Sequence, residues 1–443
     1  MSITDNIRKY FSPKTALKRT SVKLRLRQLE AASRKPRLAN WGTDTKKETS
    51  ALDLKTIRDR SRYLINNNPL GARALEVYST YIIGNGITPH AVKNGKQNIL
   101  HNKKLKAWVN TTNIDIQGIN NLYGLQTILI KHLVRDGEVF CQKIMTQDSE
   151  FPLKIKIIEA SFLDRNKNDK RTKSGIDLDK HGKPLAYWFV APEGDSSKRI
   201  SADSIIHIIN QDDNSLNPKP FLTPAIVRMN DLDLYQDFEL QKQKLSSLFC
   251  GIMREIEPTE IADHTNIKEL EAGSIIKAPP GFSVDFSTPP SVEGYSDYIR
   301  QANLTIATAL SIPYSLLASD WSESNYSSLK ACYLSWFRYV EQKQNIFVTQ
   351  FCNKLFKWYL ESCELTGFDI KGVKAIWALP KKDILDLQKE LNAYETGLKN
   401  NIFSLKQILR ERGNDPDEFL TEIADTQKQL QELGIKQQEE EEE

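Results

Sequence analysis

Apolar residues along this chain follow changing rhythms, and the changes divide it. Between Tyr295 and Ile312, the residues Tyr295, Ile299, Ala302, Ile306 and Ala309 recur at alternating steps of four and three, which places them on one helical face with a polar face opposite. Pro313 has no backbone donor and pushes Ile312 away from helical angles, so this helix is expected to stop near Leu310. A polar loop is expected over Tyr314 to Ser324. Beyond it, Leu329, Tyr333, Trp336, Val340, Phe347, Leu355 and Trp358 resume the same spacing until Gly367, a residue typical of the position just past a helix end. That predicts a helix of roughly forty residues, about 60 Å at about 1.5 Å per residue. It is too long for a small domain's core. Two long helices joined by a short loop that buries little suggest part of a ring or channel.

Earlier in the chain, Leu52 to Tyr81 reads as helical with an interruption around Asn66-Asn67-Asn68-Pro69. GNG (Gly84 to Gly86) reads as a turn, and Leu105 to Val109 and Leu122 to Val134 as helices. From Glu138 the period changes. VFCQKIM, LKIKIIE, GIDLD, LAYWFVA and SIIHIIN are short β-rich runs between polar turns, with Asp179-Lys180-His181-Gly182 making a hairpin turn between two of them. This region is α+β. Thr223-Pro224, a capping residue followed by proline at the first helical position, then predicts a helix to about Cys250. Val227, Leu234, Phe238, Leu245 and Leu248 form its apolar stripe, and Arg228, Asp231, Glu239, Lys242 and Lys244 lie on the other side. The Pro- and Gly-rich stretch before Gly294 is too short for a large domain and reads as a small β module at the end of a helix pair.

At 443 residues the chain exceeds the usual single-core size, and its 40% hydrophobic content supports folded cores. The five cysteines, Cys141, Cys250, Cys332, Cys352 and Cys363, form no Cys-x-x-Cys pair; they fit a reducing compartment and read as buried packing residues. The first twenty residues lack the apolar core of a signal peptide and no run approaches a membrane span, so a soluble cytoplasmic chain is expected. Charge is unevenly placed. Residues 1–60 hold sixteen Lys or Arg against six acids, while residues 383–443 hold seven against sixteen. The basic arm, Met1 to about Lys47, is either a solvated terminus or a means of neutralising phosphates without reading sequence. The Glu439–Glu443 tail reads as self-repelling.

Catalytic signatures are sparse. Neither Gly95-Lys96 nor Gly182-Lys183 has the flanking residues of a P-loop, the six histidines lack the i, i+4 arrangement of a helical metal site, and no Gly-x-Ser-x-Gly elbow occurs. Asp177, Asp179 and His181 with Lys183 are the best enzyme candidate, since clustered carboxylates can hold Mg²⁺. A polar hairpin explains the same four residues. Asp136 and Glu138 face the same choice, with surface placement favoured. No catalytic residue, metal or cofactor is expected.

The segment SIPYSLLASDWSESNYSSLKACYLSWFR (Ser311 to Arg338) resembles the tunnel region of lambda-type phage portal proteins, with its small-Pro-Tyr turn, acidic loop and Asn-Tyr-Ser-Ser. RSRYLINNNPLGARALEVYSTYIIGNGI (Arg60 to Ile87), RDGEVF (Arg135 to Phe140), IEASFLD (Ile158 to Asp164), GIDLDKHGKPLAYWF (Gly175 to Phe189), IIHI (Ile205 to Ile208), LDLYQDFEL (Leu232 to Leu240) and GSIIKAPPGFSVDFSTPP (Gly273 to Pro290) resemble family segments in the family's order. The likeness runs from about Arg58 to Gly367. It departs where NQDDNSLNPKPFLTP, residues 210–224, replaces the family's Gln-Arg-Gly turn.

The resemblance implies an α+β portal fold. After a basic arm (1–50) would come an α/β wing (51–222), a stem helix (223–250), a small β-rich clip (251–293), a second stem helix (294–311), a tunnel loop (312–325), a long helix with wing return (326–381), and a helical crown with acidic tail (382–443). It implies a head-tail connector that forms a ring, by family likeness of twelve subunits, at one capsid vertex. Double-stranded DNA would be packaged and ejected through it without sequence specificity. The implied partners are the terminase large subunit, the major capsid or scaffolding protein and a head-completion adaptor, with no membrane. The implied location is the virion, with host cytoplasm during assembly. Ser319, Asp320, Trp321, Ser322 and Glu323 would face DNA, Asp320 and Glu323 forming a negative constriction. Lys242 and Lys244 would face the channel lower in the stem, or pair with Glu239. Subunit contacts are expected from the long helix and the stem stripes, whose apolar faces look too long to be satisfied within one subunit. The competing readings are a metal-dependent DNA-processing enzyme that holds substrate with the basic arm, and a helical scaffold protein without a channel.

Overall fold

The computed structural model describes residues 51–93, 96–148, 150–191, 196–210, 216–247, 251–255, 282–286, 294–322, 325–380, 387–411 and 416–433. The basic arm, the glutamate tail, Cys250, Leu248, Glu323 and most of residues 251–293 lie outside them. The chain divides into two compact units, residues 228–305 and the remainder on either side of them.

In the larger unit, α1 (Ala51–Asn67) and α2 (Pro69–Ile83) meet at Asn68, whose side chain accepts from the Gly71 amide while Pro69 opens the second helix. The expected interruption is thus a cap between two helices. β1 (Thr88–Lys93), β2 (Lys96–Gln97), α3 (Ile99–Val109) and α4 (Leu122–Asp136) follow. α4 ends at Gly137, which has φ +82°, and a Cβ there would lie 2.5 Å from the Lys219 backbone. Only glycine fits.

β3 (Glu138–Met145) is the centre of an antiparallel sheet, with β4 (Leu153–Glu159) on one side and β9 (Ile205–Ile209) on the other. Between these two partners in sequence, β5 (Thr172–Lys173), β6 (Ile176–Leu178), β7 (Pro184–Val190) and β8 (Ser197–Ser201) form a four-stranded antiparallel sheet. Phe140, Leu163, Ile176, Tyr187, Phe189 and Ile205 form a buried cluster joining the two sheets. The expected β runs are present, and residues 179–183 make the hairpin turn between β6 and β7.

α5 (Ile226–Ser247) begins two residues after Pro224, the expected first helical position. The Thr223 hydroxyl donates to the Pro220 carbonyl at 2.6 Å instead of accepting from a helix N-terminus, and residues 221–225 form a turn. On α5, Ile226, Met229 and Leu232 are buried, whereas Leu234 and Phe238 of the expected stripe are 47% and 65% exposed. The smaller unit takes in most of α5, a strand pair β10 (Gly251–Glu255) and β11 (Phe282–Phe286), and most of α6 (Tyr295–Ala309). Within it the Tyr235 ring lies 4.3 Å from that of Tyr298 and 6.0 Å from that of Tyr295.

Back in the larger unit, the segment expected to be a loop over Tyr314 to Ser324 starts with one helical turn, α7 (Tyr314–Ala318), because Leu316 and Leu317 bury against α2. α8 (Tyr326–Phe347), a π-helical turn over Val348–Cys352 and α9 (Asn353–Leu365) then run without a break, and Gly367 follows with φ +82°. In the π-helical turn, Gln350 accepts from the Ile209 amide at 2.9 Å, tying the helix to the edge strand β9. The expectation that this helix leaves its apolar face unsatisfied is overturned. Trp336, Val340, Phe347, Leu355 and Trp358 are all buried within the chain, and Trp108 stacks on Tyr359. Exposed apolar side chains are confined to its ends, with Tyr326 and Leu334 at the start and Leu365 at the finish. Cys332 is exposed, which corrects its assignment as a packing residue, while Cys141, Cys352 and Cys363 are buried. β12 (Val373–Ala378) pairs antiparallel with β1, and α10 (Leu387–Lys399), α11 (Leu405–Glu411) and α12 (Pro416–Glu432) complete the described chain. No described helix is long and apolar enough to cross a membrane.

Candidate functional site

Residues 310–322 form a built structure rather than a slack connection. α6 ends in a tight set of backbone bonds, from Ser311 to Thr308 and from Ile312 to Ala307, both 3.0 Å, with Ser311 at φ +54°. The Tyr78 phenol on α2 donates to the Leu310 carbonyl, and Arg73 Nε donates to the Leu316 carbonyl at 3.0 Å. α2 therefore holds both sides of the Pro313 break. Ser319 closes α7, again at positive φ (+54°), a conformation that costs a non-glycine residue energy and turns the chain sharply.

Asp320 follows this turn. Its Oδ1 accepts from the Ser322 amide at 3.0 Å and the Ser322 hydroxyl at 2.6 Å, and its Oδ2 accepts from the Tyr314 hydroxyl at 2.9 Å. Trp321 is 45% exposed, its ring parallel to Tyr333 of α8 with centroids 6.4 Å apart and planes 6° apart. Ser319 and Ser322 are exposed, and Glu323 lies outside the described residues. Asn325 then caps α8 by accepting from the Ser328 amide at 2.8 Å. Sequence reasoning missed Tyr314 and Tyr333 as the partners that shape this segment. The one local signal was the six-residue spacing of Tyr314 and Asp320.

The two stem lysines behave differently. Lys242 Nζ lies 3.3 Å from Glu239 Oε1, whereas Lys244 is exposed. The acidic hairpin is occupied by its own turn. Asp177 accepts from Thr172, Trp188 and Arg199 at 2.7 to 2.8 Å, and Asp179 Oδ1 accepts from the amides of His181 and Lys183, both at 2.8 Å. Carboxylates committed in this way are poorly placed to hold Mg²⁺.

Asp136 and Glu138 are not on the surface. Both are fully buried, in a network of arginines gathered from α1, α4 and the segment after β4. Arg62 Nε reaches Asp136 Oδ1 at 2.7 Å and Arg135 reaches Oδ2 at 2.9 Å. Arg58 reaches Glu138 Oε1 at 2.8 Å, Arg165 donates to the same oxygen, and His207 Nε2 lies 3.0 Å from Oε2. Burial alone would raise both carboxyls. For Glu138 the charges of Arg165 and Arg58 and the His207 bond outweigh it; for Asp136 the bonds from His132 and Arg62 and the charge of Arg135 do so. Both are held well below the usual carboxylate range. Burial lowers the His207 imidazole, and Glu138 opposes that shift. His132, Asp136 and Glu159 also bring three potential metal-ligand atoms within 4.8 Å of one another. The Arg135 guanidinium already sits among them, at 2.8 Å from His132 Nδ1, 2.9 Å from Asp136 and 3.2 Å from Glu159. A metal ion would have to displace it.

Three comparisons bear on what this arrangement belongs to. A family model for “Phage portal protein, lambda family” matches residues 34–344. The “Probable portal protein” of Halomonas phage phiHAP-1 is 25% identical over 429 residues, covering 86% of this chain and 82% of that protein. Among solved structures, a chain of the “Virion of native gene transfer agent (GTA) particle” shares the fold at 14% identity and a TM-score of 0.51, covering 80% of this chain and 92% of that one. A chain of the “Neck of native GTA particle computed with C12 symmetry” does so at 13% identity and a TM-score of 0.50, covering 80% and 94%. With a family match that runs from residue 34 through the loop and into α8, the chain belongs to the lambda family of phage portal proteins.

Proposed function

We propose that copies of this protein close into a ring of twelve at one vertex of a phage capsid, and that double-stranded DNA is packaged and ejected through the central hole. The observation that carries this reading is the family match over residues 34–344. A physical reason for assembly lies on α5, where Leu234 and Phe238 share an exposed face. About half of each side chain is still open to be covered, so a neighbouring copy contributes roughly 1–2 kcal/mol at each. In this arrangement residues 223–250 and 294–311 are the stem, 251–293 the clip that meets the terminase large subunit, 312–325 the tunnel loop and 382–443 the crown. A head-completion adaptor and the capsid or scaffolding protein bind other faces of the ring, which assembles in the host cytoplasm and ends in the virion.

Passage demands contacts that slide. Ser319, Asp320, Trp321, Ser322 and Glu323 face the DNA, Trp321 offering the half of its ring that Tyr333 leaves free, and ring symmetry repeats the Glu323 charge so that phosphates do not adhere. Lys244 supplies a weak attractive ring lower down, while Lys242 is neutralised by Glu239. End-on class averages of the purified protein by negative-stain microscopy test the reading; rings with a stain-filled hole are expected, and solitary particles without a pore at high concentration overturn it. For the loop, an Asp320→Lys, Glu323→Lys double variant is expected to form rings yet fill capsids poorly.

A further inference from the structure

We propose that Asp320 serves DNA passage as a positioning residue, folding the loop so that Trp321 is presented to the channel, rather than as a repelling charge. This rests on the reading of residues 312–325 as the channel loop. Both carboxylate oxygens point back into the loop's own structure. Oδ1 accepts from the amide and hydroxyl of Ser322, so Trp321 is enclosed in an Asx turn, and Oδ2 accepts from the Tyr314 hydroxyl. Tyr314 opens α7, which is fixed by buried Leu316 and Leu317 and by the bond from Arg73 to the Leu316 carbonyl. Through Asp320, the direction of Trp321 is therefore referred to α2. On the other side, Tyr333 lies parallel to the indole and offers α8 as a second support.

The three donors are neutral and leave the net charge of the carboxylate in place, but salt screens it beyond about 8–10 Å. The same three bonds are short and directional, so geometry is the larger effect. Asparagine separates the two roles. It removes the charge but keeps an oxygen for Ser322, and its amide can donate to the Tyr314 phenol oxygen, which accepts as well as donates. Alanine removes both.

Full-length Asp320→Asn, Asp320→Ala, Trp321→Ala and Asp320→Ala/Trp321→Ala chains are compared for ring formation by microscopy and for DNA filling of capsids assembled on them. With rings intact throughout, Asp320→Asn is expected to fill within about twofold of the natural protein, and Asp320→Ala to fall by about tenfold or more, the scale of one charge-assisted hydrogen bond. The double variant is expected to be no worse than Trp321→Ala, because Asp320 acts through Trp321. Asp320→Asn as defective as Asp320→Ala, or losses that add in the double variant, overturn the inference. Failure of the parent reading looks different, with no rings from the natural chain or with Trp321→Ala filling as well as it does.

Discussion

Replacing Glu138 by glutamine tests whether the buried network holds α1, α4, β3 and β9 together. The side chain is fully buried and shares its oxygens among Arg58, Arg165 and His207. Glutamine keeps the shape, removes the charge and turns one acceptor into a donor, so Arg58 and Arg165 lose the carboxylate that balanced their charges. Removing one partner of a buried ion pair costs about 3–5 kcal/mol. Arg58 keeps the Asp136 carbonyl at 2.7 Å and the Pro218 carbonyl at 3.4 Å, and Arg165 keeps the Leu216 carbonyl at 3.2 Å together with Asn217. The lower end of that range, about 3 kcal/mol, therefore applies, and at about 2 °C per kcal/mol for a large domain Tm falls by about 6 °C at pH 7. Calorimetry or circular dichroism reads this directly. The sign with pH is also set. The Glu138 carboxyl is depressed in the folded state, so its contribution is complete above an unfolded value of about 4.3 and is lost as pH falls toward the folded one. The gap between natural protein and Glu138→Gln should narrow between about pH 5 and pH 3. A gap under about 1 °C at neutral pH, or one that fails to narrow in acid, refutes the reasoning.

Other substitutions probe separate parts of the fold. Phe238→Asp should abolish rings in light scattering while leaving the circular dichroism spectrum of the folded chain unchanged, because the side chain is already 65% exposed in the single chain. Gly137→Ala meets both the positive φ and the Lys219 backbone 2.5 Å from the new Cβ, so urea denaturation should show a loss of about 2 kcal/mol or more. Asp177→Asn should loosen the β6–β8 ladder by about 1–2 kcal/mol through weaker bonds to Arg199 and Trp188, and adding Mg²⁺ should shift Tm of neither protein.

Helix breaks and strand runs were legible because their causes are local. Asn68-Pro69, Pro313 and Gly367 act on their own backbone, and the alternation from Val139 to Ile209 needs only neighbours in sequence. Thr223 misled because its hydroxyl had a second choice of partner, the Pro220 carbonyl, which only the turn at 221–225 brings within reach. Residues 319–323 were named through family likeness, which said nothing of the bonds that orient Asp320 and Trp321. Tyr333 reaches the indole only once α8 has folded back beside the loop.

From the amino-acid order alone come the breaks at Asn68-Pro69 and Pro313, the run of roughly forty helical residues that ends before Gly367, the β character of residues 138–209, the opposite charge of the two ends and the portal family. Tertiary structure alone decided which faces are covered. The long helix buries the stripe that looked available to neighbours, while Leu234 and Phe238 on α5 remain open. It also turned Asp136 and Glu138 from surface acids into the centre of a buried network. Periodicity states which residues share a face, whereas burial and pKa depend on what packs against that face. For Glu138 the deciding partners, Arg165, Arg58 and His207, stand twenty-seven, eighty and sixty-nine residues away.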